Sequence, residues 1–431
     1  MVVAAMSSSI KKGGYGIGTL FRKAFANIRQ QMSAFKKKLR SLKDKILKKL
    51  HLTKEEREKL FEKLKLFKRK KDKVRPTGDS IEEVNKRANI TERMFQGDMA
   101  LSEEQQRQVL ADINGVDSRS KRQAFVYNNK RTQWFRGFKY FFDDSADEKV
   151  RTAFKKAADL WMAETCIDFK HVSSKMTGIK MKLSSNPKAK DRENIEPDQI
   201  EQFALMSTNL NYNYNITYDY GSVMHYGATS SSVAEDKLSM VPKDVRYTET
   251  LGSPFISFYD LLMMNIHYNC SGMCRGKVAT NCQNNGFVNP RNCSKCVCPS
   301  GYGGDFCEIR PPGCGAELNA TGDWKPFVDE IGNRTAGDIE REDFMKCNYW
   351  IKAPIGKKIE VKTVSFTFGH AVDGCRYAGV EIKTHSDQRL SGYRFCTWNT
   401  TTLLTSESNL VPVITYNRKF ISVTRLEYRY V

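Results

Sequence analysis

No cysteine occurs before Cys166, and no run of apolar residues approaches the ~20 that a membrane-spanning helix needs. Glycine has no period and aromatics reach 11%, so collagen-like and wholly disordered chains are excluded. Outside the first 75 residues there is almost no net charge. Residues 1–75 hold 24 Lys+Arg against 6 Asp+Glu, a net +18 out of a total of +21. The basic character therefore belongs to one arm, and a nucleic-acid-binding surface over the whole chain is not implied. Histidine is scarce as well. The six are His51, His171, His225, His267, His370 and His385; no two stand four residues apart and none precedes a glutamate.

What is present falls into blocks, and 431 residues are enough for several domains. In the arm, Phe21, Phe25, Ile28, Met32, Phe35, Leu39, Leu42 and Ile46 follow one another in alternating steps of four and three, the stripe of an amphipathic helix close to the coiled-coil period. The plain expectation is a solvated amphipathic helix in a removable segment; the sharper one is binding to an anionic membrane surface or an acidic partner. Arg75-Pro76-Thr77-Gly78 ends that zone. Arg119-Ser120-Lys121-Arg122 before Gln123 is similar to a furin-type cleavage site and follows a stretch rich in Asp, Ser and Gly. Phe138, Tyr140 and Phe142 alternate as a strand, and Val150, Phe154, Ala157 and Trp161 share one helix face.

From Cys274 the cysteines are separated by 7, 10, 2, 1 and 8 residues, and such crowding reads as a disulfide framework made in an oxidising compartment. Asn215, Asn319, Asn333 and Asn399 head glycosylation triplets that agree with it. The first 20 residues hold no apolar run of signal-peptide length, so either the true start lies upstream, the favoured expectation, or export is unconventional. Beyond Cys314 short alternating segments such as Ile359-Glu360-Val361 and Val380-Glu381-Ile382 predict an all-β sandwich.

Thr165-Cys166-Ile167 followed by Ser222-Val223-Met224-His225-Tyr226 resembles the astacin zinc metalloproteases, whose Ser-x-Met-His-Tyr lies in the Met-turn beneath the metal. Phe95-Gln96-Gly97-Asp98 resembles the family's pro-segment motif, which implies Asp98 as the switch that keeps a zymogen latent. The resemblance implies Tyr226 as a residual catalytic residue and Met224 as the Met-turn floor. It implies a pairing Cys166–Cys270. Cys-x-Cys-Pro-x-Gly-Tyr-x-Gly-x-x-Cys resembles an EGF-like module, implying Cys274–Cys293, Cys282–Cys296 and Cys298–Cys307, although spacing alone permits 15 connectivities. Cys347-Asn-Tyr-Trp-Ile and Val380-Glu-Ile-Lys look like a CUB domain, with Cys314–Cys347 and Cys375–Cys396.

The order resembles that of the nematode-type astacins. Residues 1–122 are expected as a basic helical pro-region cut at Arg122/Gln123, and 123–270 as an α+β metzincin-like peptidase domain. Residues 271–308 are expected as the EGF-like module and 314–431 as the CUB sandwich. The family's zinc ligands come from His-Glu-x-x-His-x-x-Gly-x-x-His, with the Glu as general base. That motif is absent. The gap falls near 184–190, between Ile179–Leu183, which looks like an early family strand, and Asp191-Arg192-Glu193, which resembles the segment after the third histidine. The expectation is a secreted glycoprotein of a zinc endopeptidase family with no metal ligands and no zinc of its own, inactive as written. The alternative is a non-catalytic pseudoenzyme that binds extracellular protein or matrix partners through its EGF-like and CUB modules, without nucleic acid and without a membrane span. Losing the active-site helix is expected to expose apolar surface on the peptidase core.

Overall fold

The computed structural model describes residues 30–44, 71–89, 147–171, 213–234, 237–277, 280–397 and 401–431, with short pieces between them that include 94–95, 106–107, 109–111, 137–140, 194–196 and 203. The predicted sandwich is the largest unit. Its strands are β5 (Glu317–Asn319), β6 (Lys325–Gly332), β7 (Glu340–Lys352), β8 (Ile359–Thr367), β9 (Ala378–Ile382), β10 (Tyr393–Phe395), β11 (Leu403–Thr405), β12 (Leu410–Lys419) and β13 (Ile421–Tyr430). They form a five-stranded sheet, β10-β9-β12-β7-β5, facing a four-stranded sheet, β11-β8-β13-β6. All pairings are antiparallel except β5 with β7. In β8 the alternation puts Ile359 and Val361 inside and leaves Glu360 and Lys362 on the outer face. Ile351, Ile382, Leu404, Val411 and Val413 complete a core without solvent exposure, each burial contributing roughly 1.5–3 kcal/mol.

β9 departs from the half-buried pattern, because all five of its residues are buried. Its second face is covered by residues from outside the sandwich. Tyr220, Tyr247 and Phe255, all within the stretch that the sequence assigns to the peptidase domain, join the sandwich core cluster. Phe255 packs edge-on against Tyr416 at 5.0 Å and tilted against Phe344 at 4.7 Å, with Arg394 over its ring at 5.1 Å and Lys346 at 4.2 Å. Where this cover meets the short helical turn at Asp373–Cys375, backbone touches backbone. Gly374 and Gly252 have φ of +73° and +87°, and a Cβ on Gly374 would stand 2.1 Å from the Gly252 carbonyl oxygen.

Between these units the six half-cystines from Cys274 to Cys307 brace a small unit around the ladder β3 (Phe287–Val288) with β4 (Cys296–Val297). Its Val297 and Phe287 pack on Phe258 and Leu261, and the Trp350 indole donates to the Gly301 carbonyl at 2.8 Å. In the remaining core, β1 (Phe138–Tyr140) runs parallel to β2 (Phe169–His171), and β1 is shorter than the Phe138–Phe142 alternation predicts. α1 spans Ile81–Arg87, α2 Glu148–Glu164 and α3 Phe258–His267. Cys166 bonds Cys270, joining the end of α2 to the end of α3. Cys314–Cys347 and Cys375–Cys396 close the sandwich disulfides.

Residues 30–41 are helical, as their stripe predicts. The stripe is not solvated. Met32, Phe35 and Leu39 are 0–2% exposed and share a core with Phe95, Val109, Ile195, Phe203 and Met240. Ile195, Phe203 and Met240, apolar residues of the 123–270 stretch, are covered here by the arm.

Candidate functional site at the Met-turn

The turn at residues 219–227 is built from short local hydrogen bonds and one buried carboxylate. The N–H of His225 donates to the Ser222 carbonyl at 3.0 Å and that of Met224 to the Ser222 hydroxyl at 3.1 Å. The Ser222 hydroxyl in turn donates to Asp260 Oδ1 at 2.6 Å, and the Val223 N–H to Asp260 Oδ2 at 3.1 Å. Asp260 also closes the capping box of α3, accepting from the Ser257 N–H at 2.9 Å while its own N–H donates to the Ser257 hydroxyl. One side chain thus ties the turn to the helix below it. A second carboxylate, Asp219, accepts from the Gly221 N–H at 3.0 Å and from the N–H and hydroxyl of Ser391 at 3.2 and 3.1 Å, fastening the turn to the sandwich.

Both acids are buried, and burial drives both upward: Asp219 lies above the usual carboxylate range, and Asp260 is pushed up to about 6, the charge of Asp219 adding to the rise while its hydrogen bonds oppose it. The folded protein therefore keeps a proton on Asp260 where the unfolded chain has lost it, so this group's contribution to stability falls as pH rises from about 3.8 to about 6. At 1.36 kcal/mol per unit this is roughly 3 kcal/mol. Relative to wild type, Asp260→Asn is expected to gain about 2 kcal/mol of that amount in unfolding free energy between pH 4 and pH 7. Urea unfolding at both pH values checks this, and a difference that stays constant would show that Asp260 does not titrate in that window.

The side chains that the family resemblance singled out are partly gathered here. Tyr226 packs beside the cluster of Phe35, Phe95, Ile195 and Met240. Met224 is 37% exposed, and His225 is buried with Nδ1 2.5 Å from the Tyr226 carbonyl oxygen. Asn215, Asn319 and Asn333 are exposed, as glycan attachment needs. Asp98, Arg122, Gln123, Asn399 and the gap at 184–190 lie outside the described residues.

Among the described residues, the donors do not fit a catalytic zinc, which takes three protein ligands on one metal. His267 Nδ1 is hydrogen-bonded to the Tyr214 hydroxyl, and His385 Nε2 lies 3.2 Å from the Tyr393 hydroxyl. His171 sits among Tyr140 and Phe142, and His370 against Tyr377. Among the described residues, the group of three metal-capable side chains with converging donor atoms is Glu249, Cys375 and Cys396, and those cysteines are bonded to each other. The pattern of the sequence did not point to Asp219 or to Phe255. The Ser257-x-x-Asp260 spacing before an apolar run is a legible capping signal, and it leads to Asp260.

A Ser-x-Met-His-Tyr turn tied to a capped helix, joined to a disulfide-braced unit and a two-sheet sandwich, defines a multidomain chain built around a metalloproteinase-type turn. The family model for the Astacin peptidases matches residues 190–269, which contain the turn and α3. Zinc metalloproteinase nas-31 of Caenorhabditis elegans is 35% identical over 412 residues, 83% of this chain and 67% of that protein. Zinc metalloproteinases nas-29 and nas-23 of the same organism are 30% and 31% identical over 82% and 81% of this chain, and 78% and 74% of theirs. This chain belongs to the astacin family. It spans only 60% of the length of two other relatives, nas-32 and nas-25. Among solved structures, the MASP-1 CUB2 domain bound to Ca2+ is 15% identical over 26% of this chain and 96% of that one, at a TM-score of 0.18. A score that low carries no fold argument, and the sandwich rests on its own strand order.

Proposed function

We propose that this chain derives from a secreted zinc endopeptidase of the nematode astacin type but, as it stands, holds no catalytic zinc and cleaves no peptide bond. The observation that carries the reading lies in the sequence: no His-Glu pair and no two histidines four apart, so no helix can offer two imidazoles and a general base to one metal. The family supplies the expectation of zinc, and the scattered histidine partners support its absence from this polypeptide. Tyr226 then serves as a packed aromatic beside the arm. The expected organisation is a pro-region over 1–122, a peptidase remnant over 123–270 with its gap near 184–190, an EGF-like module over 271–308 and a CUB domain over 314–431. Twelve cysteines, all in disulfides, support an oxidising, extracellular setting.

A second reading, a pseudoenzyme that binds extracellular proteins or matrix through its EGF-like and CUB modules, is favoured by the covered state of the turn. The sandwich lies on one side of it and the arm on another, which suits a scaffold better than an open cleft. The test is metal analysis and peptide cleavage with the purified chain, together with sequencing of the transcript across the Met181–Ile195 codons. Less than about a tenth of an equivalent of zinc and no hydrolysis are expected, since a site without three ligands does not retain the metal. Stoichiometric zinc that a chelator removes together with activity would overturn the proposal. A longer transcript that encodes His-Glu-x-x-His assigns the activity to that product instead.

A further inference from the structure

The arm makes contacts that a removable segment does not need. On its apolar stripe, Met32, Phe35 and Leu39 are buried against Ile195, Phe203 and Met240, with Leu42 and Tyr226 at the edge of the same cluster. Phe95 and Val109, also from the N-terminal part, fill the same core, Phe95 meeting Phe35 edge-on at 5.8 Å. These residues stand on both sides of the Arg119–Arg122 basic site, so one hydrophobic core is shared between the two halves of the chain.

Polar clamps repeat the pattern further along. Lys86 pairs with Glu196 at 2.7 Å, and the Ser231 hydroxyl donates to Glu82 at 2.6 Å. Residues 71–79 then reach the sandwich. Asp72 accepts from the Ala371 N–H at 2.7 Å and its own N–H donates to the Ala371 carbonyl at 3.0 Å. Lys71 lies 3.5 Å from Asp373, the Arg75 guanidinium forks onto Glu340, and the Tyr377 hydroxyl donates to Asp79. No disulfide crosses residue 122, since the earliest cysteine is Cys166.

We infer that the N-terminal part is a permanent subunit of the folded protein: after a cut at Arg122 it stays bound non-covalently, its helix at 30–41 closing the Met-turn face. Detachment would bare Phe203, Ile195 and Met240 together with the stripe itself, an apolar patch that folded proteins rarely leave open. The processed product is then a two-chain complex, and the exposed Lys37, Lys38, Arg40 and Lys43 on the outer side of the helix remain part of it. The inference rests on these contacts and not on whether the chain holds zinc, so either can fail alone.

The test uses the full chain with the recognition sequence of a site-specific protease inserted between Arg122 and Gln123. After complete cutting, verified by two bands on a denaturing gel, the sample is run on native size exclusion in about 0.15 M and in about 1 M NaCl. Both fragments are expected in one peak at equal stoichiometry at both salt concentrations, because an apolar interface is not screened. Separate elution at the lower salt overturns the inference. Release only at the higher salt overturns it too, since the arm would then be held by its charge. Phe35→Asp with Leu39→Asp is expected to lower the co-eluting fraction at least tenfold, and Phe35→Leu to leave it unchanged. The uncharged variant and the cut wild-type protein keep the test decisive if the charged variant does not fold.

Discussion

Arg394→Ala lowers the unfolding free energy by about 3–5 kcal/mol, the cost expected when a buried carboxylate loses its hydrogen-bonded counter-ion. Arg394 and Glu381 are opposed on β10 and β9 and meet at 2.8 Å with side chains 3% and 5% exposed. The pair is also the junction of three units. Arg394 donates to the Ser253 hydroxyl at 2.5 Å, and its N–H donates to the Thr250 hydroxyl at 3.0 Å, both from the segment after the Met-turn. Glu381 accepts from the Gly392 N–H at 2.9 Å and from Ser300 of the small disulfide unit. Lys383 donates to the Ser300 carbonyl at 2.8 Å and to the Gln388 carbonyl at 2.6 Å, and burial pushes its ammonium down to about 8. Burial opposes the ionised Glu381 as well, but Arg394 and Lys383 hold it below its usual range. Losing Arg394 therefore leaves a desolvated carboxylate without its ion-pair partner, with Lys383 as the remaining cation. Denaturant unfolding followed by tryptophan fluorescence measures the loss, and the double variant Glu381→Ala/Arg394→Ala should lose clearly less than the sum of the singles. A single-variant loss under about 1 kcal/mol, the range of exposed pairs, would show that water reaches the pair.

Cys166→Ser with Cys270→Ser is expected to destabilise the core around α2 and α3 by about 4 kcal/mol, through the unfolded-chain entropy released when a long loop opens. The bond spans 104 residues, the longest closure among the six. It adds to packing between the two helices, where Trp161 of α2 lies against the clusters that hold Phe258, Leu261 and Met264 of α3. Asn265 donates to the Glu164 carbonyl at 2.8 Å, and Ile167 packs with Trp134 and Met264. Hydrogen exchange resolves the effect by region: faster exchange in 148–171 and 258–267 is expected, with the sandwich amides unchanged. Unchanged exchange in α2 and α3 would place the stability of that core in its packing alone.

Much of this architecture is legible in the residues, because local rules act on neighbours. The steps of four and three from Met32 to Leu42 state that one face of a helix is apolar, and that face is buried. Alternation from Ile359 to Val361 states which side of the strand faces inward. Ser257-x-x-Asp260 marks a helix start, and the residues show directly that no His-Glu-x-x-His segment is present.

What covers each apolar face is not a local property. Nothing in the stripe of the arm names Ile195, Phe203 and Met240 as its partners, since a hydrophobic period records a demand for burial and not its source. The same holds for Tyr247 and Phe255, which follow a peptidase-type turn in sequence yet pack on the sandwich. Glu381 and Arg394 sit at outward positions of alternating strands, where charge is ordinarily solvated. The docking over that sheet of residues from the 219–256 stretch and of the small disulfide unit takes them out of water, and with it a surface ion pair becomes the buried joint of the molecule. Composition, spacing and period by themselves determined the local elements of this protein and the absence of a His-Glu-x-x-His segment. The tertiary structure alone decided which units are inseparable, because long-range contacts set burial and burial sets the energy of every charge within it.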